Sequence, residues 1–331
     1  MKILITEGEH FSRKAIEVLE ELGEVTASDL DRPRLLAAVG EAQVLWVRLR
    51  NRIDAEVMDA APGLRVICTP TTGLNHVDLA EAARRGIRVV SLRGEVDFLK
   101  DIRATAEHTI ALALALLRRL PAATRHAESG GWNRDPFRGN ELYGKTAGVV
   151  GYGRLGRIVA RYLDAFGCRV LASERPDWDG STDGFVTLVP LKELLSHSDL
   201  VTLHVNLCPA TENFFNRDCF EGMKPGAWFI NTARGELIDE AALLDRLKSG
   251  LLAGAALDVV RDEHRLEPDS NPLFAWAREH GNLLLTPHIG GCTVESMAKT
   301  EEFLARQLRG LLYGGQGNGG EYAECAELQA R

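Results

Sequence analysis

No apolar run in this chain is long enough to cross a bilayer. The longest apolar helical stretch, Thr109 to Leu117, falls far short of the roughly 20 residues a spanning helix needs. The start, Met1-Lys2-Ile3-Leu4-Ile5-Thr6, lacks the extended apolar region and small-residue cleavage site of a secretory leader and runs straight into a strand-like segment. Positive charge is in deficit: 39 Lys and Arg stand against 47 Asp and Glu, a formal net charge of −8. That removes the general basic field that nucleic acid or an anionic membrane surface would require, so neither is expected as a partner. The six cysteines (Cys68, Cys168, Cys208, Cys219, Cys292 and Cys325) include no Cys-x-x-Cys pair. Neither a disulfide framework nor a metal site is expected, and the thiols read as those of a reduced, cytoplasmic protein. No repeat recurs at solenoid spacing.

What remains is an ordinary soluble composition, 45% hydrophobic and 26% charged, on 331 residues, long enough for two domains with separate cores. One stretch organises it: Thr146-Ala147-Gly148-Val149-Val150-Gly151-Tyr152-Gly153-Arg154-Leu155-Gly156-Arg157. A short apolar run turns on Gly151, Gly153 and Gly156 into a helical pattern marked by Leu155, Ile158, Val159, Tyr162 and Leu163. Such a turn aims free N–H groups and the positive end of a helix dipole at one point, which suits a pyrophosphate. The next strand, Arg169 to Ala172, leads into Ser173-Glu174, so an acidic residue falls where a ribose hydroxyl pair needs an acceptor.

Strand-like and helix-like segments alternate on both sides of this turn. Before it, strands are expected at Lys2–Thr6, Ala42–Val47, Leu64–Cys68 and Ile87–Val90, with helices at Ser12–Leu22, Ala55–Ala60 and Leu79–Arg85. From Thr146, strands are expected at 147–150, 169–172, 199–203, 227–230, 254–257 and 283–285. The fold class is therefore α/β, with two Rossmann-like, doubly wound parallel-sheet domains. The last helix, Thr293 to Leu312, has no obvious place in the second domain and is expected to return to the first. The expected division is 1–100 plus 290–331 for one domain and 101–289 for the nucleotide-binding domain. An almost wholly apolar helix from Ala104 to Arg119, stopped by Pro121, reads either as an interdomain core or as a subunit interface. The polar, Gly-rich tail Gly314 to Arg331 reads as loosely ordered.

Three polar clusters follow later strands, at the carboxyl ends where open α/β sheets bind ligands. In Asn231-Thr232-Ala233-Arg234-Gly235, the Arg234 guanidinium suits a carboxylate. In Asp258-Val259-Val260-Arg261-Asp262-Glu263, Asp258 closes a strand and Glu263 follows on the loop. In Thr286-Pro287-His288-Ile289-Gly290-Gly291, His288 stands between a proline and two glycines. Arg234, Glu263 and His288 together form a coherent acid–base set.

These clusters resemble the D-isomer-specific 2-hydroxyacid dehydrogenases, the family of phosphoglycerate dehydrogenase and the hydroxypyruvate and glyoxylate reductases. The likeness runs from about Val44 to Leu312. It includes Gly73-Leu74-Asn75-His76-Val77-Asp78, Ala106-Glu107-His108-Thr109 and the stretch from Gly144 through the glycine turn. It implies an NAD-dependent interconversion of a D-2-hydroxy acid and its 2-oxo acid. Arg234 would hold the substrate carboxylate, His288 would exchange the proton at the carbonyl oxygen, and Glu263 would orient the imidazole. The N–H groups of Thr72 and Gly73 would cradle the carboxylate, and Asp258 would bond the nicotinamide carboxamide. The implied cofactor contacts are Gly151, Gly153, Arg154, Leu155, Gly156, Glu174, His204, Thr232, Ala233, Asp258 and His288. A homodimer through the 104–119 region is implied as well.

Departures from the family pattern bear on specificity. His264 stands after Glu263 where proline is common, which leaves the shape of that loop open. His204-Val205-Asn206-Leu207-Cys208-Pro209 replaces a His-x-Pro-Leu-Thr-Pro run at the adenine pocket. Glu174 favours NAD over NADP, and the adjacent Arg175 partly offsets that preference. Arg48, Arg50, Arg52 and Arg93 follow first-domain strands, and Arg48 is the best placed to meet a second anionic group, a phosphate or phosphonate, on the substrate. The loop Arg93 to Arg103 is longer than the family's usual connection and reads as a specificity element or an interface insertion. The regulatory domain that many phosphoglycerate dehydrogenases carry is not expected. Two alternatives share the fold: an NAD(H)-sensing, corepressor-like binding protein and a phosphite dehydrogenase-like enzyme. A formate dehydrogenase would place glutamine at Glu263.

Overall fold

The computed structural model describes residues 1–175, 178 and 180–313. The tail from Gly314 on lies outside the described residues. The described residues divide into two compact units, one made of Met1–Leu99 with Val294–Tyr313, the other of Lys100–Thr293.

The first unit is built on five parallel strands: β1 (Lys2–Ile5), β2 (Glu24–Ala27), β3 (Val44–Trp46), β4 (Val66–Thr69) and β5 (Arg88–Ser91). Their order is β2-β1-β3-β4-β5. Every residue of β3 and β4 is buried, the unbroken apolar run expected of strands covered on both faces. The sequence pattern missed β2 for the converse reason. It is an edge strand with Glu24, Thr26 and Ala27 exposed, so it carries no apolar signature.

The C-terminal helix Val294–Tyr313 packs against the helix Arg13–Glu20, burying Leu304, Ala305 and Leu308. Ser12 caps the latter helix by accepting from Ala15 N–H. The Ser12 backbone N–H in turn donates to Glu301 Oε2 at 2.7 Å, tying the two helices together. The 93–103 segment contains a short helix, Val96–Leu99, and is no open loop: Phe98 stacks on Phe303 of the C-terminal helix at 3.9 Å between centroids.

The second unit has seven parallel strands: β6 (Thr146–Val150), β7 (Arg169–Ser173), β8 (Val186–Leu188), β9 (Leu200–Leu203), β10 (Ala227–Asn231), β11 (Leu252–Leu257) and β12 (Leu283–Leu285). Their order is β12-β11-β10-β9-β6-β7-β8, so the direction of winding reverses between β6 and β9. The apolar helix expected over 104–119 is Ala104–Leu117, and Pro121 does not end it. Arg119 turns the chain through φ +53°, and Pro121 opens a second helix, Leu120–Glu128, where its fixed φ suits a first turn. Ile110, Ala113, Leu116 and Leu117 share one core with Val149, Val159, Leu163 and Ile230. The apolar surface of that helix is thus largely buried within its own unit. Among the described residues no helix is long and apolar enough to cross a membrane.

Candidate active site

At the end of β6 the chain turns through Gly151 at φ +90°, a conformation other residues rarely adopt. A Cβ there would lie 2.6 Å from the His204 carbonyl oxygen at the end of β9, so the turn fills the point where the sheet order reverses. Gly156 backs onto the Gly151 carbonyl, where a side chain would have no room. Gly153 caps the helix Arg154–Ala165 without a side-chain hydrogen bond, which leaves the helix's first N–H groups to an anion. Glu174, the residue after β7, reaches back to this turn, its Oε1 accepting from Tyr152 N–H at 2.5 Å. Beside it lies a cleft of about 270 Å³ lined by Glu174, Arg175, Leu188, Val189 and Pro190.

Turn, carboxylate and cleft fit the pyrophosphate, ribose and adenine of a dinucleotide in that order. Arg154 donates to the Ile102 carbonyl at 3.1 Å, and burial lowers its pKa. Leu155 is half-buried beside the unit's core. His204 has both ring nitrogens buried without a hydrogen-bond partner among the described residues, and burial pushes its pKa down to about 3. It is therefore neutral across the physiological range.

The remaining site residues come from three neighbouring strand ends. Asn231, Leu257 and Leu285 stand side by side in β10, β11 and β12, and Arg234, Asp258 and His288 follow them on one edge of the sheet. Asn231 folds the first loop: its Oδ1 accepts from Ala233 N–H and its Nδ2 donates to the Arg234 carbonyl, both at 2.9 Å. Thr232 is buried, its hydroxyl 2.8 Å from that of Thr109 on the Ala104–Leu117 helix. Burial lowers the Arg234 pKa, against the opposing fields of Glu263, Glu236 and Asp258. Gly235 packs backbone on backbone, since a Cβ there would fall 2.0 Å from the Val260 carbonyl carbon. The Arg234 loop and the Asp258–Glu263 loop are therefore seated directly on each other.

Asp258 is only 1% exposed and serves as the hub of the His288 loop. Its Oδ1 accepts from Thr286 Oγ1 at 2.6 Å, Ile289 N–H at 2.9 Å and His108 Nε2 at 3.1 Å, and its Oδ2 accepts from Gly290 N–H at 2.8 Å. Desolvation pushes its pKa up, but these donors outweigh it and hold the carboxyl below its ordinary value. With four donors already on it, the carboxylate serves the protein first. His288 N–H donates to the Asp258 carbonyl at 2.8 Å, and His288 itself sits at φ +53°. Its Nδ1 meets both oxygens of Glu263, at 2.7 and 2.9 Å. No hydrogen bond to Nε2 is found among the described residues. Imidazole and carboxylate are 19% and 18% exposed, shielded but still within reach of a ligand.

In the first unit, Thr72 and Gly73 lie on the loop after β4, which Thr71 braces by donating to the Gly73 carbonyl at 2.8 Å. Arg48 follows β3 and pairs with Glu301, which is buried. Burial pushes the Glu301 carboxyl up, against the pull of Arg48. The order of this sheet reverses between β1 and β3, and there Glu7 accepts from Arg48 N–H at 2.6 Å and Arg50 N–H at 2.8 Å. A side-chain carboxylate of the protein thus occupies the switch point that the second unit leaves to its glycine turn. The sequence assigns no role to His108, Thr286 or Arg261, although each lies inside one of the quoted stretches.

The family profile described as "D-isomer specific 2-hydroxyacid dehydrogenase, NAD binding domain" matches residues 110–290. The chain is 36% identical to the D-3-phosphoglycerate dehydrogenase of Methanocaldococcus jannaschii over 317 residues, 95% of this chain and 58% of that one. It spans little more than half the length of the curated phosphoglycerate dehydrogenases it matches. It is 39% identical to the glyoxylate reductase of Thermofilum pendens over 289 residues, 86% of this chain and 82% of the relative. Among solved structures it is similar to D-lactate dehydrogenase from Aquifex aeolicus complexed with NAD and lactic acid, with a TM-score of 0.80 at 26% identity over 95% and 97% of the two chains.

Proposed function

The chain belongs to the D-isomer specific 2-hydroxyacid dehydrogenase family, and from that premise we propose that it interconverts a D-2-hydroxy acid and its 2-oxo acid with NAD(H). The observation that carries this reading is the His288 Nδ1–Glu263 bond, two strand ends away from Arg234 on one sheet edge. A nicotinamide dinucleotide held at the glycine turn supplies the hydride. Arg234 offers its planar fork to the substrate carboxylate, and partial desolvation strengthens that grip. His288, its Nδ1 engaged by Glu263, gives a proton from Nε2 to the carbonyl oxygen during reduction and recovers it during oxidation. Glu263 fixes the ring and stabilises the positive charge that the donor form carries. Asp258 and His108 keep the His288 loop in place.

The test is a panel of 2-oxo acids with NADH, read at 340 nm, with phosphorylated and phosphonylated acids included. Turnover of at least one acid supports the reading; tight NADH binding with no turnover of any acid points to a dinucleotide sensor. A phosphate reaching Arg48 would have to compete with the Glu301 carboxylate, so phosphorylated acids should hold no large advantage.

Glu174 beside the turn supports NAD over NADP, because a 2′-phosphate would meet its charge. Glu174→Ser is expected to shift the ratio of kcat/KM for NADH over NADPH toward NADPH by about tenfold, roughly the size of one relieved charge repulsion. An unchanged ratio would remove Glu174 from cofactor choice. We also propose a homodimer; because the Ala104–Leu117 helix expected at the contact is largely buried in its own unit, we place the apolar contact just beyond it, at Leu120 and Trp132, the latter 94% exposed. Light scattering should give twice the chain mass at micromolar concentration; a monomer there would overturn this.

A further inference from the structure

The turn between Asp258 and Glu263 is sharp where precision matters most. Asp262 sits at φ +52°, in the left-handed region that Asp enters more readily than most residues with a side chain, and the next residue must present both carboxylate oxygens to His288. The anchor is Arg261. Its backbone N–H donates to Glu240 Oε1 at 2.7 Å. Its guanidinium donates to Glu212 Oε1 at 3.0 Å, Asn213 Oδ1 at 2.7 Å and the Glu236 carbonyl at 3.0 Å. Glu236 belongs to the short 3-10 turn Gly235–Leu237 that begins immediately after Arg234. Asn213, itself at φ +52°, is held to the same turn because its N–H donates to the Glu236 carbonyl at 2.9 Å. One planar fork therefore reaches across from the Glu263 loop to the segment that carries Arg234.

We propose that Arg261 is a positioning residue for the acid–base pair: it clamps the Glu263 turn to the Arg234 turn and so sets the placement of His288's carboxylate partner. This rests on the reading of Glu263 and His288 given above. Arg261 is half-buried and Glu212 is exposed, and an ion pair with one partner in solvent contributes little to global stability. What the clamp gives is direction, because a fork with three acceptors on neighbouring segments cannot rotate freely as a single ammonium would. Small displacements of a catalytic group lower turnover far more than they lower ligand binding.

The experiment compares the wild type with Arg261→Ala, Arg261→Lys and the double variant Glu212→Ala/Asn213→Gly, which removes two side-chain acceptors without touching the catalytic loop and keeps a residue at 213 that tolerates its positive φ. Three quantities are read: kcat and KM for the best acid of the panel, NADH affinity by fluorescence, and the low-field proton resonance of a carboxylate-bonded His288 Nδ1–H. Arg261→Ala is expected to lower kcat about 10- to 100-fold, with KM and NADH affinity within about twofold and the resonance lost or broadened. Arg261→Lys should recover part of both the rate and the resonance. If Arg261→Ala does not fold, the double variant should show the same pattern in weaker form. Wild-type kcat with an intact resonance in either variant overturns the clamp, and so does a loss of NADH affinity that parallels the loss of rate. If the wild type turns over no acid at all, the catalytic reading fails, while a resonance that vanishes in Arg261→Ala still establishes the clamp.

Discussion

Replacing His288 with alanine lowers kcat for 2-oxo acid reduction by about 10²- to 10⁴-fold, the range that a positioned general acid contributes. NADH affinity stays within about twofold, since the glycine turn and Glu174 hold the dinucleotide without the imidazole. The loss falls on kcat because the proton is needed only as negative charge develops on the carbonyl oxygen. Glu263→Gln is the matched control. Its amide can still bond Nδ1, but it no longer stabilises the charged ring, so its defect should be clear yet smaller than that of the alanine variant. The measurement is steady-state oxidation of NADH beside a fluorescence titration of cofactor. A variant lacking His288 that kept more than about a tenth of wild-type turnover would remove the residue from proton transfer.

Arg234→Ala removes the anchor of the substrate carboxylate and lowers kcat/KM by about 10²- to 10³-fold, in line with the few kcal/mol lost when one partner of a desolvated charge pair is deleted. Arg234→Lys should restore little of this, because a point charge does not reproduce a bidentate fork. The two variants separate the roles of the site: the arginine defect should appear in both KM and kcat, whereas the histidine defect should be confined to kcat. The desolvation that lowers the Arg234 pKa also explains why the residue should be sensitive, as few water molecules compete with a bound carboxylate. Wild-type kcat/KM in Arg234→Ala would exclude it from substrate binding.

The parts of the fold legible in the sequence are those with strong local physics. Central strands such as β3 and β4 are buried on both faces and so read as apolar runs. The glycine turn reads because Gly151 needs a positive φ and a close approach at once. The edge strands β2 and β8 did not read, since they are short and solvent reaches one side, as at Glu24 and Thr187. Pro121 reads as a stop in the sequence but opens a helix in the structure, because a proline ends one helix and starts another with the same letter. In the site, Arg234, Glu263 and His288 lay just past recognisable strands. Arg261 and His108 did not stand out: their partners, Glu212 and Glu236 in one case and Asp258 in the other, are far away in sequence and meet only through the strand order. Arg48 is a related case. Its position after β3 suggests a second anionic group on the substrate as its partner, and nothing in the sequence points to Glu301, the buried carboxylate from the far end of the chain that it pairs with.

The most direct test follows the hydride itself. With NADH deuterated at the transferring face of C4 and an accepted 2-oxo acid, the product should carry one deuterium at C2 and be the D-2-hydroxy acid, read by mass spectrometry after chiral separation. Product without deuterium at C2, or an L-2-hydroxy acid, would contradict the account.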